Sequence, residues 1–156
     1  MDCREIKYDT ADYAAMLELR ERILRKPLGL IVTDAEKQMD RDDYLLGAFD
    51  GDIIKGCLIL QKKDDGSVKM RQVAVCDSTQ GQGIGRFMLQ AAYDVLRSWG
   101  VSKLYCHARG TAVDFYKQNG WQITSDTFLE QNIPHCRMDI TVQVKADNAV
   151  PVEERA

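Results

Sequence analysis

Val73-Ala-Val-Cys-Asp-Ser-Thr-Gln80-Gly-Gln-Gly83-Ile-Gly85-Arg-Phe-Met88 is an apolar strand that runs through a polar corner and three alternate glycines into a helix. Glycines at 81, 83 and 85 let the backbone turn sharply and remove the β-carbons that would hold a ligand away from the amides. Those amides open a helix. The first N–H groups of a helix lack intrahelical partners and carry the positive end of its dipole, so a phosphate is the natural occupant. Spacing excludes two common phosphate loops. The dinucleotide fingerprint G-x-G-x-x-G needs a small residue where Arg86 or Met88 stands, and the nucleoside triphosphate loop needs Lys-Ser/Thr where Arg86-Phe87 follows Gly85. A tight strand-to-helix turn, with glycines kept for packing, is the bland alternative for the same stretch.

Working back from this loop, Val68 to Val75, Asp52 to Gln61 and Tyr44 to Phe49 read as three strands separated by Asp65-Gly66 and Asp50-Gly51, a strong hairpin signal. Before them, Glu5 to Tyr8 is a short strand, and Thr10 caps a helix with Tyr13, Met16, Leu17, Ile23 and Leu24 along one face, interrupted by Arg20 and closed by Pro27. Leu28 to Thr33 is a linker and Asp34 to Asp40 a short helix; Asp40, Asp42 and Asp43 read as a solvated acidic corner, with a cation-attracting role as the functional alternative. Working forward, the helix after the loop puts Ile84, Phe87, Met88, Ala91, Ala92, Val95 and Trp99 on one face and ends at Gly100. Val101 to His107 returns as a strand and can lie parallel to the strand before the loop. Thr111 caps a short helix ended by Asn119-Gly120; Trp121 to Thr124 is a strand, Asp126 to Pro134 a loop and Cys136 to Val144 a last strand. The expected fold is α/β: a mixed, mostly antiparallel sheet with one parallel strand pair, flanked by about four helices. A single domain over 1–145 is expected, followed by a polar tail, 146–156, that frays.

A net charge of -3 with dispersed basic residues gives no general attraction to nucleic acid or to an anionic membrane. No apolar run spans a bilayer and the N-terminus lacks a signal-peptide layout, so a cytoplasmic location is expected. Five scattered cysteines without a C-x-x-C pair read as reduced thiols rather than disulfides or a metal site.

Gln80, Gly83 and Gly85 form Q-x-x-G-x-G between a strand and a helix. This resembles the pyrophosphate loop of the GNAT superfamily of acyl-CoA-dependent N-acyltransferases. A second block, Ala108-Arg-Gly-Thr-Ala112-Val-Asp-Phe115-Tyr116-Lys-Gln-Asn-Gly120-Trp121, resembles that family's A-x-x-F-Y-x-x-x-G-F/Y segment and follows the loop at the family's usual separation. A third stretch, Phe128-Leu-Glu130-Gln-Asn132-Ile133-Pro134-His135 with Met138, looks like F-x-E-x-G-I-P-H-x-x-M of a subset of small bacterial members of undefined substrate. Here Asn132 replaces the usual glycine, and asparagine tolerates the left-handed conformation such a turn needs.

The resemblance implies acetyl-CoA as co-substrate, no metal, and direct attack by a primary amine, on a small molecule or a protein, through a tetrahedral intermediate. Backbone amides of the segment Gly81, Gln82, Gly83, Ile84, Gly85 and Arg86 would hold the pyrophosphate, and Gln80 would order the loop. The backbone at Val73 and Val75 would pair with pantetheine, and an amide near Val73 would face the oxyanion. Tyr116 would protonate the departing thiolate, since a phenol is protonated at neutral pH. Arg109 stands where many relatives contact pantetheine. For the general base, His135 comes first, then Glu130, then His107, with water as a further alternative and Gln72 able to position it. Relatives are often dimers, so a homodimer fits. The rival reading is a non-catalytic acyl-CoA-binding sensor or regulatory domain.

Overall fold

Local signals in the chain set most element boundaries of the computed structural model, which describes residues 1–144; the expected tail, 146–156, lies outside the described residues. Strand β1 covers Asp2–Ile6, earlier than the sequence pattern indicates. Helix α1, Ala11–Arg20, starts where Thr10 Oγ1 accepts the Tyr13 N–H at 3.2 Å, continues as a π-helical turn over Glu21–Arg25, and stops in a 3-10 turn at Lys26–Leu28 that holds Pro27. Helix α2, Asp34–Asp42, is opened by a capping box: Thr33 Oγ1 accepts the Glu36 N–H at 3.2 Å, and Glu36 Oε1 accepts the Thr33 N–H at 2.9 Å. Strands β2 (Tyr44–Asp50), β3 (Ile53–Lys62) and β4 (Val68–Val75) are linked by turns whose glycines, Gly51 and Gly66, have φ of 60° and 86°.

Helix α3, Ile84–Trp99, follows the glycine loop and leads to β5, Lys103–Arg109. Its buried side is rotated from the expected one. Phe87 is 41% exposed, while Leu89, Tyr93 and Leu96 are buried beside Ile84, Met88 and Ala92. A 3-10 turn at Gly110–Ala112 precedes α4, Val113–Gln118; no side chain caps α4, so Thr111 does not have the capping role its position in the sequence indicates. Strands β6 (Gln122–Ile123), β7 (Phe128–Glu130) and β8 (Ile133–Thr141) complete the described residues.

The described chain forms two compact units: residues 1–61 with 71–92, and 62–70 with 93–144. In the first, the strand order is β1-β2-β3-β4, with β1 and β3 both antiparallel to β2. Its core gathers Ile6, Tyr13, Met16, Leu19, Leu45, Phe49, Cys57, Ile59, Ala74 and Cys76. In the second, β5 pairs in parallel with Val68–Met70 of β4 and antiparallel with β8, which also carries β6 and β7. The fold is thus mixed α/β, a mostly antiparallel sheet with one parallel pair and four α-helices, as the strand and helix signals predict.

Two expectations are corrected. The segment Asp126 to Pro134 is not a loop throughout: Glu130 pairs with Ile133, so β7 and β8 form a hairpin closed by Gln131 and Asn132, both left-handed at φ 53° and 62°. Two consecutive left-handed residues suit the twist of a two-residue hairpin, and Asn132 tolerates the conformation as expected. Of the acidic corner only Asp42 is exposed. Asp40 is 0% exposed; its carboxylate accepts from Tyr13 Oη and Arg20 Nη1, each at 2.7 Å, and from Arg71 Nη2 at 2.9 Å. Asp43 accepts from the same Arg71 Nη2 at 3.1 Å and from Gln61 Nε2 at 3.2 Å. The reason is geometric: Arg20, which interrupts the apolar stripe of α1, is turned inward and needs a buried counter-charge.

Candidate functional site

Strand β4 loses its alternation at Gln72, whose φ is 55°. Arg71 turns to Asp40 and Asp43, yet Ala74 and Cys76, at odd spacing from it, join the same unit's core; the bulge has shifted the parity of the strand. Val73 and Val75 are left half-buried. The bulge is held from both sides of its backbone and side chain. Cys57 Sγ donates to the Gln72 carbonyl at 3.7 Å, and Arg25 Nη2, also paired with Glu36, donates to Gln72 Oε1 at 3.2 Å. Arg25 and Arg71 are contributors the sequence reading missed; the available signals were an arginine beside the apolar helical stripe for Arg25 and a charge inside an apolar strand for Arg71.

Past Val75 the chain makes a 3-10 turn over Asp77–Thr79, where Cys76 O accepts both the Thr79 N–H and its hydroxyl at 3.0 Å. Gln80 Nε2 donates back to Val75 O at 3.3 Å. Gly81 and Gly83 have φ of 85° and 82°, and a β-carbon built on either meets nothing within 4 Å. The Gln82 amide donates to Thr79 O at 3.2 Å, so it closes the turn rather than facing outward. Phe87 N–H is the first in α3 to reach back, to Gly83 O at 3.0 Å, which leaves the amides of Ile84, Gly85 and Arg86 at the helix start without intrahelical acceptors. Open space over two left-handed glycines and a row of forward-pointing amides fits a phosphate or pyrophosphate. The loop therefore suits a phosphorylated carrier such as CoA.

In the second unit, α4 brings Tyr116 inward to 5% exposure, with its ring 5.2 Å from Phe115 and 5.0 Å from Trp121. Its hydroxyl is hydrogen-bonded to the Cys106 thiol. Burial first, then the adjoining Cys106, pushes the Tyr116 phenol well above its ordinary value, and burial likewise pushes the Cys106 thiol up to about 12. The phenol is accordingly a protonated group at any working pH. Trp121 Nε1 donates to Tyr93 Oη at 3.0 Å and fixes the ring against which Tyr116 packs.

The three base candidates, 23 and five positions apart in the chain, come together. The β7–β8 hairpin sets Phe128 opposite His135, and β5–β8 pairing sets Arg109 opposite His135 and His107 opposite Arg137. His107 Nδ1 lies 2.9 Å from Glu130 Oε1, and Glu130 Oε2 lies 3.9 Å from His135 Nε2. His135 Nδ1 donates to Ile133 O at 2.7 Å, and the residue is only 6% exposed. Phe128 stands edge-on to His107 at 5.0 Å and is stacked with His135 at 6.2 Å. Partial burial of Glu130 works to raise its pKa, but the hydrogen bond and charge of His107, with His135 and Lys69, prevail and hold the carboxyl below its usual range. Cys106 and His107 are neighbours on β5, so their side chains leave opposite faces of the strand. Tyr116 and the histidine–glutamate group thus lie on opposite sides of β5. Among the described residues no group of three or more His, Cys, Asp and Glu side chains could hold a metal ion, and no helix is long and apolar enough to cross a membrane.

The uncharacterized N-acetyltransferase YjcF of Bacillus subtilis is 26% identical over 121 residues, which cover 77% of this chain and 86% of YjcF. The crystal structure of an acyl-CoA N-acyltransferase from Pseudomonas aeruginosa matches with a TM-score of 0.74 at 23% identity, covering 89% of this chain and 98% of that one. That of an aminoglycoside 6'-N-acetyltransferase complexed with coenzyme A matches with a TM-score of 0.76 at 15% identity, covering 94% and 100%. At these identities the two structures speak to the fold alone. Residues 24–142 match the family model of the acetyltransferase (GNAT) domain, and the chain belongs to the GNAT acetyltransferase family.

Proposed function

We propose that this chain is a single-domain N-acetyltransferase, residues 1–145, that moves the acetyl group of acetyl-CoA to a primary amine by direct attack through a tetrahedral intermediate. The observation that carries the reading is the glycine loop, where left-handed Gly81 and Gly83 open onto free space beside the first amides of α3. Ile84, Gly85 and Arg86 would hold the pyrophosphate through their backbone, with Gly81, Gln82 and Gly83 shaping the turn and Gln80 tying it to Val75. The half-buried backbone at Val73 and Val75 would pair with pantetheine amides, and an amide near Val73 would face the developing oxyanion. Arg109 would lie along the same carrier. Tyr116 would give its proton to the departing thiolate, while the cluster of His107, Glu130 and His135 would supply the base that accepts the amine's proton. Free cysteines throughout are in keeping with a reducing, cytoplasmic setting.

A protein or small-molecule amine, with no nucleic acid or membrane partner, is the acceptor we favour. The test is calorimetric titration with acetyl-CoA, with Gly83→Val alongside. Micromolar binding that is lost in the variant is expected, because any β-branched residue is strained at φ 82° and its side chain enters the open space. Tight binding by Gly83→Val would sink the loop assignment.

One observation favours the second reading, a non-catalytic acyl-CoA sensor: the Tyr116 hydroxyl is buried and engaged by Cys106. CoA release that does not accelerate with added amines, despite acetyl-CoA binding, would decide for the sensor.

A further inference from the structure

Glu130 and His107 form a carboxylate–imidazole pair whose proton positions follow from donor chemistry. An ionised carboxylate only accepts, so the ring nitrogen 2.9 Å from Glu130 Oε1 carries the hydrogen, and His107 is held as the Nδ1–H tautomer with its Nε2 lone pair free to take a proton. The same logic applied to His135 gives a different result. Its Nδ1 faces the Ile133 carbonyl, which also only accepts, so its Nε2 lone pair is turned towards Glu130 at 3.9 Å inside the hairpin. That nitrogen is shut away from a substrate, whereas the His107 side chain is 28% exposed.

We infer that His107 Nε2 is the general base for the amine, that Glu130 is a positioning residue which fixes its tautomer, and that His135 is kept out of the chemistry by its own bond to the Ile133 carbonyl. This deepens the acyl-transfer reading and rests on it. In the step, the attacking nitrogen gives one proton to His107 Nε2, the new C–N bond forms, the C–S bond breaks, and the thiolate takes a proton from Tyr116, which is resupplied from solvent; His107 returns its proton to solvent. The groups facing the ring are Glu130 from β7, Tyr105 on its own strand at 6.1 Å between rings, and Arg137 opposite on β8, which is paired with Asp139 and lies over Tyr105. His135 and Lys69 act on it through Glu130.

Two measurements test the pair. The chain has two histidines, so nitrogen-15 spectra of the untagged protein read both rings, with His135→Gln assigning them. The expected spectrum shows His107 as Nδ1–H at neutral pH and loses that preference in Glu130→Gln; His107 as the Nε2–H tautomer in the wild type would overturn the pair. The second is the pH profile of kcat/KM for thiol release from acetyl-CoA with tyramine, spermidine and a lysine-containing peptide. His107→Gln is expected to remove the acidic limb and lower kcat/KM by at least about 100-fold. Glu130→Gln is expected to lower kcat by about tenfold with KM for acetyl-CoA unchanged. A wild-type-like limb in His107→Gln overturns the base assignment. Absence of thiol release by the wild type with all three amines would instead overturn the acyl-transfer reading and the base role with it, while the spectra still decide the pair.

Discussion

Tyr116 shows how much a single side chain depends on its surroundings. Its place in the F-Y segment makes it a candidate acid, but only the structure adds that its hydroxyl is hydrogen-bonded to Cys106 and that burial keeps the phenol protonated. A group in that state is protonated and available as a donor, though it holds its proton more tightly than a free phenol. Tyr116→Phe keeps the ring contacts with Phe115 and Trp121 and removes only the donor. We expect kcat to fall by about 100-fold with acetyl-CoA affinity nearly unchanged, and stability to fall by about 1 kcal/mol from the lost hydrogen bond. Unaltered turnover would remove Tyr116 from the mechanism and leave it a packing residue.

At the scale of elements, α1, α2 and β4 are tied together by charge as well as by apolar packing. Asp40 of α2 takes hydrogen bonds from Tyr13 and Arg20 of α1 and from Arg71 of β4, and all four groups are buried or nearly so. Such a group stabilises little relative to a well-packed apolar replacement, yet breaking it by removing one partner strands a buried charge. Asp40→Asn turns one acceptor oxygen into a donor facing a guanidinium, and should cost about 3–5 kcal/mol in urea unfolding. A loss below 1 kcal/mol would show that water or a rearranged Arg20 satisfies the charge. Because Arg71 adjoins the bulge at Gln72, the same variant should also weaken acetyl-CoA binding if the bulge positions the loop.

Across the whole molecule the carboxylates set the response to acid. Glu36, Glu130, Asp65 and Asp139 all have folded-state pKa values below their ordinary ones; hydrogen bonds lead for Asp65 and Asp139, and outweigh an opposing burial effect for Glu36 and Glu130. A carboxylate with a lowered folded pKa contributes stability that is complete above its unfolded value, about 4, and is lost as pH falls through the folded value. Asp43 acts in the opposite direction, because burial raises it. With four groups against one, urea midpoints should stay level from pH 7 to about 5 and fall steadily below about pH 4. Rising stability on acidification below that point would contradict the balance.

Local chemistry wrote most of the fold into the chain. Asp-Gly turns, the Thr10 cap and the Gly100 stop act over a few residues, so their elements could be read directly, as could the sharp glycine turn from strand to helix. Elements that depend on partners distant in the sequence could not. The β7–β8 hairpin has a three-residue strand and an unusual Gln-Asn turn, and its pairing follows from β8 being held by β5. The inward turn of Arg20 depends on a carboxylate twenty residues away, the buried face of α3 on what packs against it, and the meeting of His107, Glu130 and His135 on three strands finding their register. Sequence by itself determined the family, the strand-to-helix glycine turn and the residue types available for catalysis, because those are short-range patterns of glycines, aromatics and caps. Only the tertiary structure decided which titratable groups touch and what each imidazole nitrogen faces, because burial and hydrogen-bond partners are properties of the folded chain.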